Sequence, residues 1–151
     1  SSWTQVPSRY EDYFFDNRNY DPEKKYFETL EKSISHFTKK GVQVFIFLEN
    51  PELGFSPKSC LSHPFVLAER PCFVPYAEYQ KRMSSYRSSV KYIVDKYSKA
   101  FILDPEPLLC DEQNCYAKNN GKMLYADDDH FSVEGSRYIA SKMINKFGGA
   151  K

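Results

Sequence analysis

The sequence lacks the long apolar run and the charge excess that mark two large classes of protein. Its longest apolar stretch, Val42 to Leu48, is interrupted by Gln43 and is far shorter than the ~20 residues that a membrane helix needs. With 21 basic against 20 acidic residues, the chain has no basic surplus for binding phosphate backbones, so no nucleic-acid partner is expected. The residues after Ser1 are polar and do not resemble a signal peptide. We expect a soluble segment cut from a longer protein.

Cysteine is also scarce, with only 4 residues in the chain. Only Cys110 and Cys115 approach the close spacing of zinc ligands, so no metal site is expected. An even number of cysteines in proline-rich surroundings favours two local disulfides, Cys60–Cys72 and Cys110–Cys115, and with them an oxidising compartment. Four free thiols in a cytosolic protein are the alternative.

Helix and strand patterns alternate along the chain. Asp21-Pro22-Glu23 is typical of a helix start, and the apolar spacing that follows predicts a helix ending at about Lys40. Val42 to Leu48 then has the continuous β-branched and aromatic pattern of a strand buried on both faces. A second helix of about twenty residues is predicted from Tyr76, and a second short buried strand over 100–103.

The last third of the chain is predicted to contain a hairpin and a helix. Asn119-Asn120-Gly121 has the chemistry of a tight turn between two short strands, Cys115-Tyr116-Ala117 and Met123-Leu124-Tyr125. Ser132 can cap a helix that runs to Phe147. The spacing predicts that one stripe of this helix consists of Val133, Arg137, Ala140 and Ile144, with Ile139 and Met143 next to it.

The element order predicts a three-layer α/β domain, with helices on both faces of a mostly parallel sheet. Two strands are too few for such a sheet. We therefore expect the N-terminal strands to lie upstream, and residues 1–151 to form the C-terminal part of a single domain.

Three consecutive aspartates precede the histidine in Asp127-Asp128-Asp129-His130. A histidine acts as general base when another group fixes its tautomer and stabilises its cation, and a carboxylate on the same loop does both. Asp127 can fold back across a turn to reach Nδ1 of His130. The segment therefore indicates a general base and the carboxylate that orients it. The alternatives are acids that favour the N-terminus of the next helix, or a calcium-binding loop.

Residues 124–135 resemble the Asp-x-x-His block of SGNH-family hydrolases and acetyltransferases. The chain is also similar to the SGNH domain fused to membrane acyltransferase-3 proteins in Ser1-Ser2-Trp3, in the stretch from Asp104 to Cys115 and in Tyr125. The resemblance implies a three-layer α/β/α, flavodoxin-like SGNH-hydrolase fold. It further implies O-acetylation of a cell-envelope polysaccharide, such as the O-antigen of lipopolysaccharide, by a periplasmic or other extracytoplasmic domain of a membrane protein.

The resemblance assigns roles residue by residue. Asp127 becomes the orienting acid and His130 the general base, because they occupy the first and last places of the motif. Asp128 and Asp129 match only variable places. Gly135 matches a family glycine whose expected use is close packing of the last helix.

Three further residues are predicted to line the substrate site. Glu49 and Asn50 close a strand at the carboxyl edge of the sheet, where ligands bind in open α/β folds, and the family register brings Trp3 to the acyl pocket. The family's Gly-Asp-Ser block is missing, since no serine in this chain follows Gly-Asp, and its oxyanion-hole glycine and asparagine have no counterpart. The nucleophile is therefore expected upstream.

The partners implied are a polysaccharide acceptor, an acyl donor, the upstream SGNH segment that carries the serine, and an attached membrane acyltransferase domain. No cofactor is implied. Because no acyl-enzyme forms without the serine, the chain alone is expected to be inactive. The alternative functions are a carbohydrate acetylesterase and a catalytically inactive α/β binding module.

Overall fold

The computed structural model describes residues 21–62, 64, 65, 67, 68 and 70–147, the side chains of 145–147 excepted. Trp3, predicted to line the acyl pocket, lies outside the described residues. The chain divides into two compact units, Ser1–Ile46 with Ser84–Ile102 and Phe47–Met83 with Leu103–Lys151.

Helices and short strands alternate in a mixed α/β fold. In chain order they are α1 Pro22–Lys39, β1 Val44–Phe47, a 3-10 turn Pro57–Cys60, β2 Phe73–Pro75, α2 Tyr76–Val94, β3 Ala100–Leu103, α3 Glu106–Leu109, β4 Asn114–Tyr116, β5 Lys118–Asn119, β6 Lys122–Met123 and α4 Val133–Phe147. No helix among the described residues is long and apolar enough to cross a bilayer.

Helix α1 begins and ends at the residues that the sequence predicts. The Asp21 carboxylate accepts a hydrogen bond from Lys24 N at 3.1 Å, which satisfies one of the unpaired amides of the first turn. Pro22 occupies the first helical position, where its missing N–H costs nothing. After Lys40, Gly41 takes a φ of +83°, a backbone conformation that glycine adopts without strain.

Strands β1 and β3 pair in parallel, as predicted. Val44 N donates to Lys99 O at 2.8 Å and Leu48 N donates to Leu103 O at 2.9 Å, with the same sequence offset in both bonds. The prediction that β1 is buried on both faces is wrong, because Phe47 keeps 45% of its surface exposed. Aromatic and β-branched residues also favour half-buried strands, so a continuous apolar run did not by itself establish burial.

The other described strands pair in antiparallel fashion. Strand β4 was predicted to be an arm of the hairpin, but it pairs with β2, with Val74 opposite Cys115. The hairpin itself is short, and β5 and β6 are joined by Asn120 and Gly121 with φ of +48° and +77°. Two successive positive φ values are typical of a type I′ turn, which Asn-Gly favours.

Both predicted disulfides are confirmed. Cys60 is bonded to Cys72 across 12 residues, and Cys110 is bonded to Cys115 across 5 residues. The first disulfide closes the proline-rich loop ahead of β2, and the second closes the segment that leads into β4. Both disulfides therefore lie in the unit that also contains α4 and residues 127–130.

Helix α4 has the predicted bounds but turns a different face to the core. Ser132 Oγ accepts from Gly135 N at 3.0 Å, as expected of a cap. Val133 and Ile144 of the predicted stripe are 66% and 63% exposed, whereas Ile139 and Met143 are each 3% exposed. Ile139 and Met143 are one helical turn apart and follow Gly135 at the same spacing, so the buried face is the one that starts at the glycine.

Candidate active site

The Asp-x-x-His segment forms a loop closed at its base, and all residues of this site belong to the second unit. Tyr125 and Phe131 form an isolated antiparallel bridge, and Ala126 N donates to His130 O at 2.8 Å. Ser132 N donates to Leu124 O at 2.8 Å and continues the pairing into the start of α4. The loop therefore has a fixed backbone although its side chains are exposed.

Asp127 holds His130 through both its backbone and its ring. Asp127 Oδ1 accepts from His130 N at 2.7 Å and from Asp129 N at 3.2 Å. The His130 Nδ1 atom lies 3.0 Å from Oδ1 and 3.1 Å from Oδ2 of the same carboxylate. The hydrogen bond from the His130 amide is the main reason why the pKa of Asp127 falls to about 2.

The protonation state of Asp127 fixes the tautomer of His130. An ionised carboxylate can only accept hydrogen bonds, so Nδ1 carries the hydrogen and Nε2 is the basic nitrogen of the neutral ring. Among the described residues, no hydrogen bond reaches Nε2, and the His130 side chain is 75% exposed. Nε2 is therefore accessible to a reacting group.

Asp129 is a second carboxylate at the same ring nitrogen. Its Oδ1 lies 2.7 Å from His130 Nδ1, although the family motif treats this position as variable. Burial, followed by the hydrogen bond with Asp127, raises the pKa of the Asp129 carboxyl. No sequence signal separated Asp129 from Asp128, because both stand inside the motif and only the turn decides which of them reaches the ring.

The two carboxylates favour the charged form of the imidazole. The pKa of His130 is raised above its ordinary value, first by the hydrogen bond to Asp127 and then by the negative charge of Asp129. A more basic nitrogen is a stronger proton acceptor, which is the property that a general base needs. The same interactions stabilise the imidazolium that forms once the proton is taken.

A second segment, residues 49–53, contacts this loop through three hydrogen bonds. Asn50 Nδ2 donates to Asp129 O at 2.8 Å, and Leu53 N donates to Asp128 O at 2.7 Å. The buried Tyr125 hydroxyl donates to Pro51 O at 2.7 Å. The sequence indicated only that this segment ends a strand at the carboxyl edge of the sheet, and gave no sign that it supports the histidine loop.

Glu49 and Asn50, both predicted to line the substrate site, lie beside the loop. Asn50 contacts it directly, and the Glu49 carboxyl interacts electrostatically with Asp129. Burial raises the pKa of Glu49 to about 7, and the negative charges of Glu52 and Asp129 add to the effect. Contact of Glu49 and Asn50 with substrate stays a prediction.

The same cluster offers ligand atoms for a cation. Ligand atoms of Asp127, Asp129 and His130 all lie within 4.8 Å of one another, and the three residues are exposed. Calcium takes about 6–8 oxygen ligands, more than two carboxylates supply, and prefers oxygen to imidazole nitrogen. The cluster therefore fits a histidine with its carboxylates better than it fits a calcium site.

Within the described residues, no serine hydroxyl forms a hydrogen bond with His130. Ser132, two positions further on, has its hydroxyl engaged, because Oγ donates to Met123 O at 2.8 Å and accepts from Gly135 N. Ser132 therefore has a structural role as the cap of α4. The described part of the site contains a hydrogen-bonded carboxylate and imidazole without a serine hydroxyl paired to the ring.

Comparison with known proteins identifies a family over almost the whole chain. A family model described as "SGNH domain (fused to AT3 domains)" matches residues 1–145. The searches of curated proteins and of solved structures gave no match. Residues 127–130, with their Asp-x-x-His spacing and the hydrogen bond between their end members, lie inside the matched region. The chain belongs to the family of SGNH domains that are fused to AT3 domains.

Proposed function

We propose that this chain supplies the general base, His130, and the orienting acid, Asp127, of a Ser-His-Asp site that transfers acetyl groups to a cell-envelope polysaccharide. One observation carries the proposal: the Asp127 carboxylate lies 3.0 Å from Nδ1 of an exposed His130, whose Nε2 has no hydrogen-bond partner among the described residues. This is the arrangement that a serine nucleophile requires of its base. Membership of the SGNH family supports the same chemistry.

In the proposed reaction, a serine from the upstream part of the domain attacks the acetyl carbonyl of the donor. Nε2 of His130 takes the hydroxyl proton and then gives it to the leaving group of the donor, which leaves an acetyl-serine. A sugar hydroxyl next loses its proton to Nε2 and attacks the acetyl-serine, and the serine recovers its proton from the imidazolium. Asp127 holds the ring and stabilises its charge during both steps.

The proposal includes the surroundings of the site. We infer a three-layer α/β/α domain to which residues 1–151 contribute the C-terminal part, on the extracytoplasmic side of a membrane protein and with the acyltransferase domain as its partner. The fusion to AT3 domains that the family model describes supports the membrane association. The two disulfides support an oxidising compartment.

The test uses the full-length protein with its acceptor polysaccharide. His130→Ala is expected to lower acetyl transfer by about 10³-fold or more, since loss of a triad base removes most of the catalysis. The matched control is His36→Ala, because His36 lies on α1 with its ring against Phe37 and is expected to keep full activity. Unchanged transfer by His130→Ala would show that the base is wrongly assigned, and release of acetate without transfer to sugar would identify an esterase instead.

A further inference from the structure

Asn50 reaches the histidine loop with a hydrogen bond from its own side chain. Its Nδ2 donates to the backbone carbonyl of Asp129 at 2.8 Å, across 79 residues of sequence. The other two bonds from this segment use the backbone of Pro51 and Leu53. Any residue except proline supplies a backbone amide at 53, whereas the bond at Asp129 depends on the amide side chain at 50.

The carbonyl that Asn50 holds belongs to the peptide group between Asp129 and His130. The N–H of the same peptide group donates to Asp127 Oδ1 at 2.7 Å. Because the peptide unit is rigid and planar, a bond to its oxygen also fixes the direction of its N–H. Asn50 therefore acts on the hydrogen bond that anchors the Asp127 carboxylate, and through it on the geometry at His130 Nδ1.

We propose that Asn50 is a positioning residue for His130, fixing the Asp129–His130 peptide so that the Asp127 carboxylate stays aligned with Nδ1. The role rests on the proposed function of His130 as a base. Without the Asn50 bond the peptide can rotate, and the Asp127 carboxylate loses part of its anchor. The Asp129 carboxylate also contacts His130 Nδ1. Its position becomes variable as well, because the backbone carbonyl that loses the Asn50 bond belongs to the same residue.

The test compares Asn50→Ala and Asn50→Leu in the full-length protein. Leucine keeps the approximate shape of asparagine but has no donor, so it covers the case in which the smaller side chain fails to fold. Both variants are expected to lower kcat about 10-fold with KM nearly unchanged. Both are also expected to lower the pKa seen in the pH profile of kcat/KM, because a looser Asp127 stabilises the imidazolium less.

Arg82→Ala is the matched control. It removes the bond from Arg82 Nη2 to Glu52 O at 2.8 Å, which holds the same segment 49–53 without contacting the Asp129–His130 peptide. Its melting temperature is expected to fall while the pKa from the kcat/KM profile stays at the wild-type value. Wild-type kinetics in both Asn50 variants, or an equal pKa change in Arg82→Ala, would overturn the positioning role. Neither result affects the proposed function, which fails only if His130→Ala keeps its activity.

Discussion

A single oxygen of Asp127 accepts hydrogen bonds from both the backbone and the ring of His130: Oδ1 lies 2.7 Å from His130 N and 3.0 Å from His130 Nδ1. The backbone bond places the carboxylate, and the placed carboxylate sets the ring. The ring of the proposed base is therefore contacted directly from within a turn of four residues, whereas the distant Asn50 bonds a peptide carbonyl of that turn and not the ring.

Asp127→Asn is expected to lower kcat about 10³-fold or more. An asparagine at 127 can present an N–H to Nδ1, which favours the tautomer with the hydrogen on Nε2, and such a ring cannot accept the serine proton. The measurement is acetyl transfer by the full-length protein under saturating donor.

Asp128→Asn serves as the control for this change. It removes an equal charge from an exposed neighbour whose backbone carbonyl accepts a hydrogen bond from Leu53 N. It is expected to keep transfer within about 2-fold, in line with the small effects of surface substitutions. Equal losses in both variants would show that the loop responds to its total charge and not to the Asp127 carboxylate.

The pH dependence of activity is expected to follow His130. The base works only when the ring is neutral, so kcat/KM is expected to rise with pH through a pKa above the ordinary value of 6.5. Asp129→Asn removes a negative charge that favours the imidazolium, and its rising limb is therefore expected at lower pH than in the wild-type protein. If the pKa of the rising limb is the same in Asp129→Asn as in the wild-type protein, Asp129 does not act on the ring.

Gly135→Ala is expected to destabilise the domain by about 1–3 kcal/mol, the usual cost of forcing an extra group into a packed site. A Cβ at position 135 would overlap the carbonyl group of Leu124, which also accepts the hydrogen bond from Ser132 N. The backbone is less able than a side chain to move away. Ser136→Ala, at an exposed neighbouring position, is the control, and urea unfolding of both variants measures the difference.

Glu49→Gln is expected to stabilise the protein, but only above acidic pH. The pKa of Glu49 is about 7 in the folded chain against 4.5 ordinarily, so ionisation costs free energy in the folded state as the pH rises between these values. Glutamine removes that cost. The gain is on the order of 1 kcal/mol at pH 8, after allowance for the partial exposure of the group, and is absent below pH 4.

Thermal unfolding from pH 4 to 8 measures this gain against the control Glu112→Gln, which removes an equal charge at an exposed position. A gain that is the same at both ends of the range would contradict the assigned cause.

Reduction of the disulfides is expected to lower stability. In the chain-entropy model, closing the 12-residue separation between Cys60 and Cys72 stabilises the folded state by about 3 kcal/mol. Mass spectrometry before and after reduction checks that both bonds form in the purified protein, and the shift of the unfolding midpoint with Cys60→Ser/Cys72→Ser measures the first of them. Four free thiols would remove the support for an oxidising compartment.

The sequence alone determined those features whose interactions are local. The cap at Asp21 and the type I′ turn at Asn120-Gly121 depend on partners a few residues away, so the residue types are enough to predict them. The Asp127–His130 pair is local in the same sense, since its hydrogen bonds close over three residues. The disulfide pairing also followed from short separations.

Only the tertiary structure decided the interactions between distant segments. The bond of Asn50 to Asp129, the pairing of β2 with β4 and the choice of Ile139 over Ile144 as the buried side of α4 all depend on which surfaces meet when the chain closes. Several partners of similar hydrophobicity or hydrogen-bonding capacity were available for each, and periodicity does not choose between them. Packing makes that choice, because burial and hydrogen bonding must be satisfied for all the segments at once.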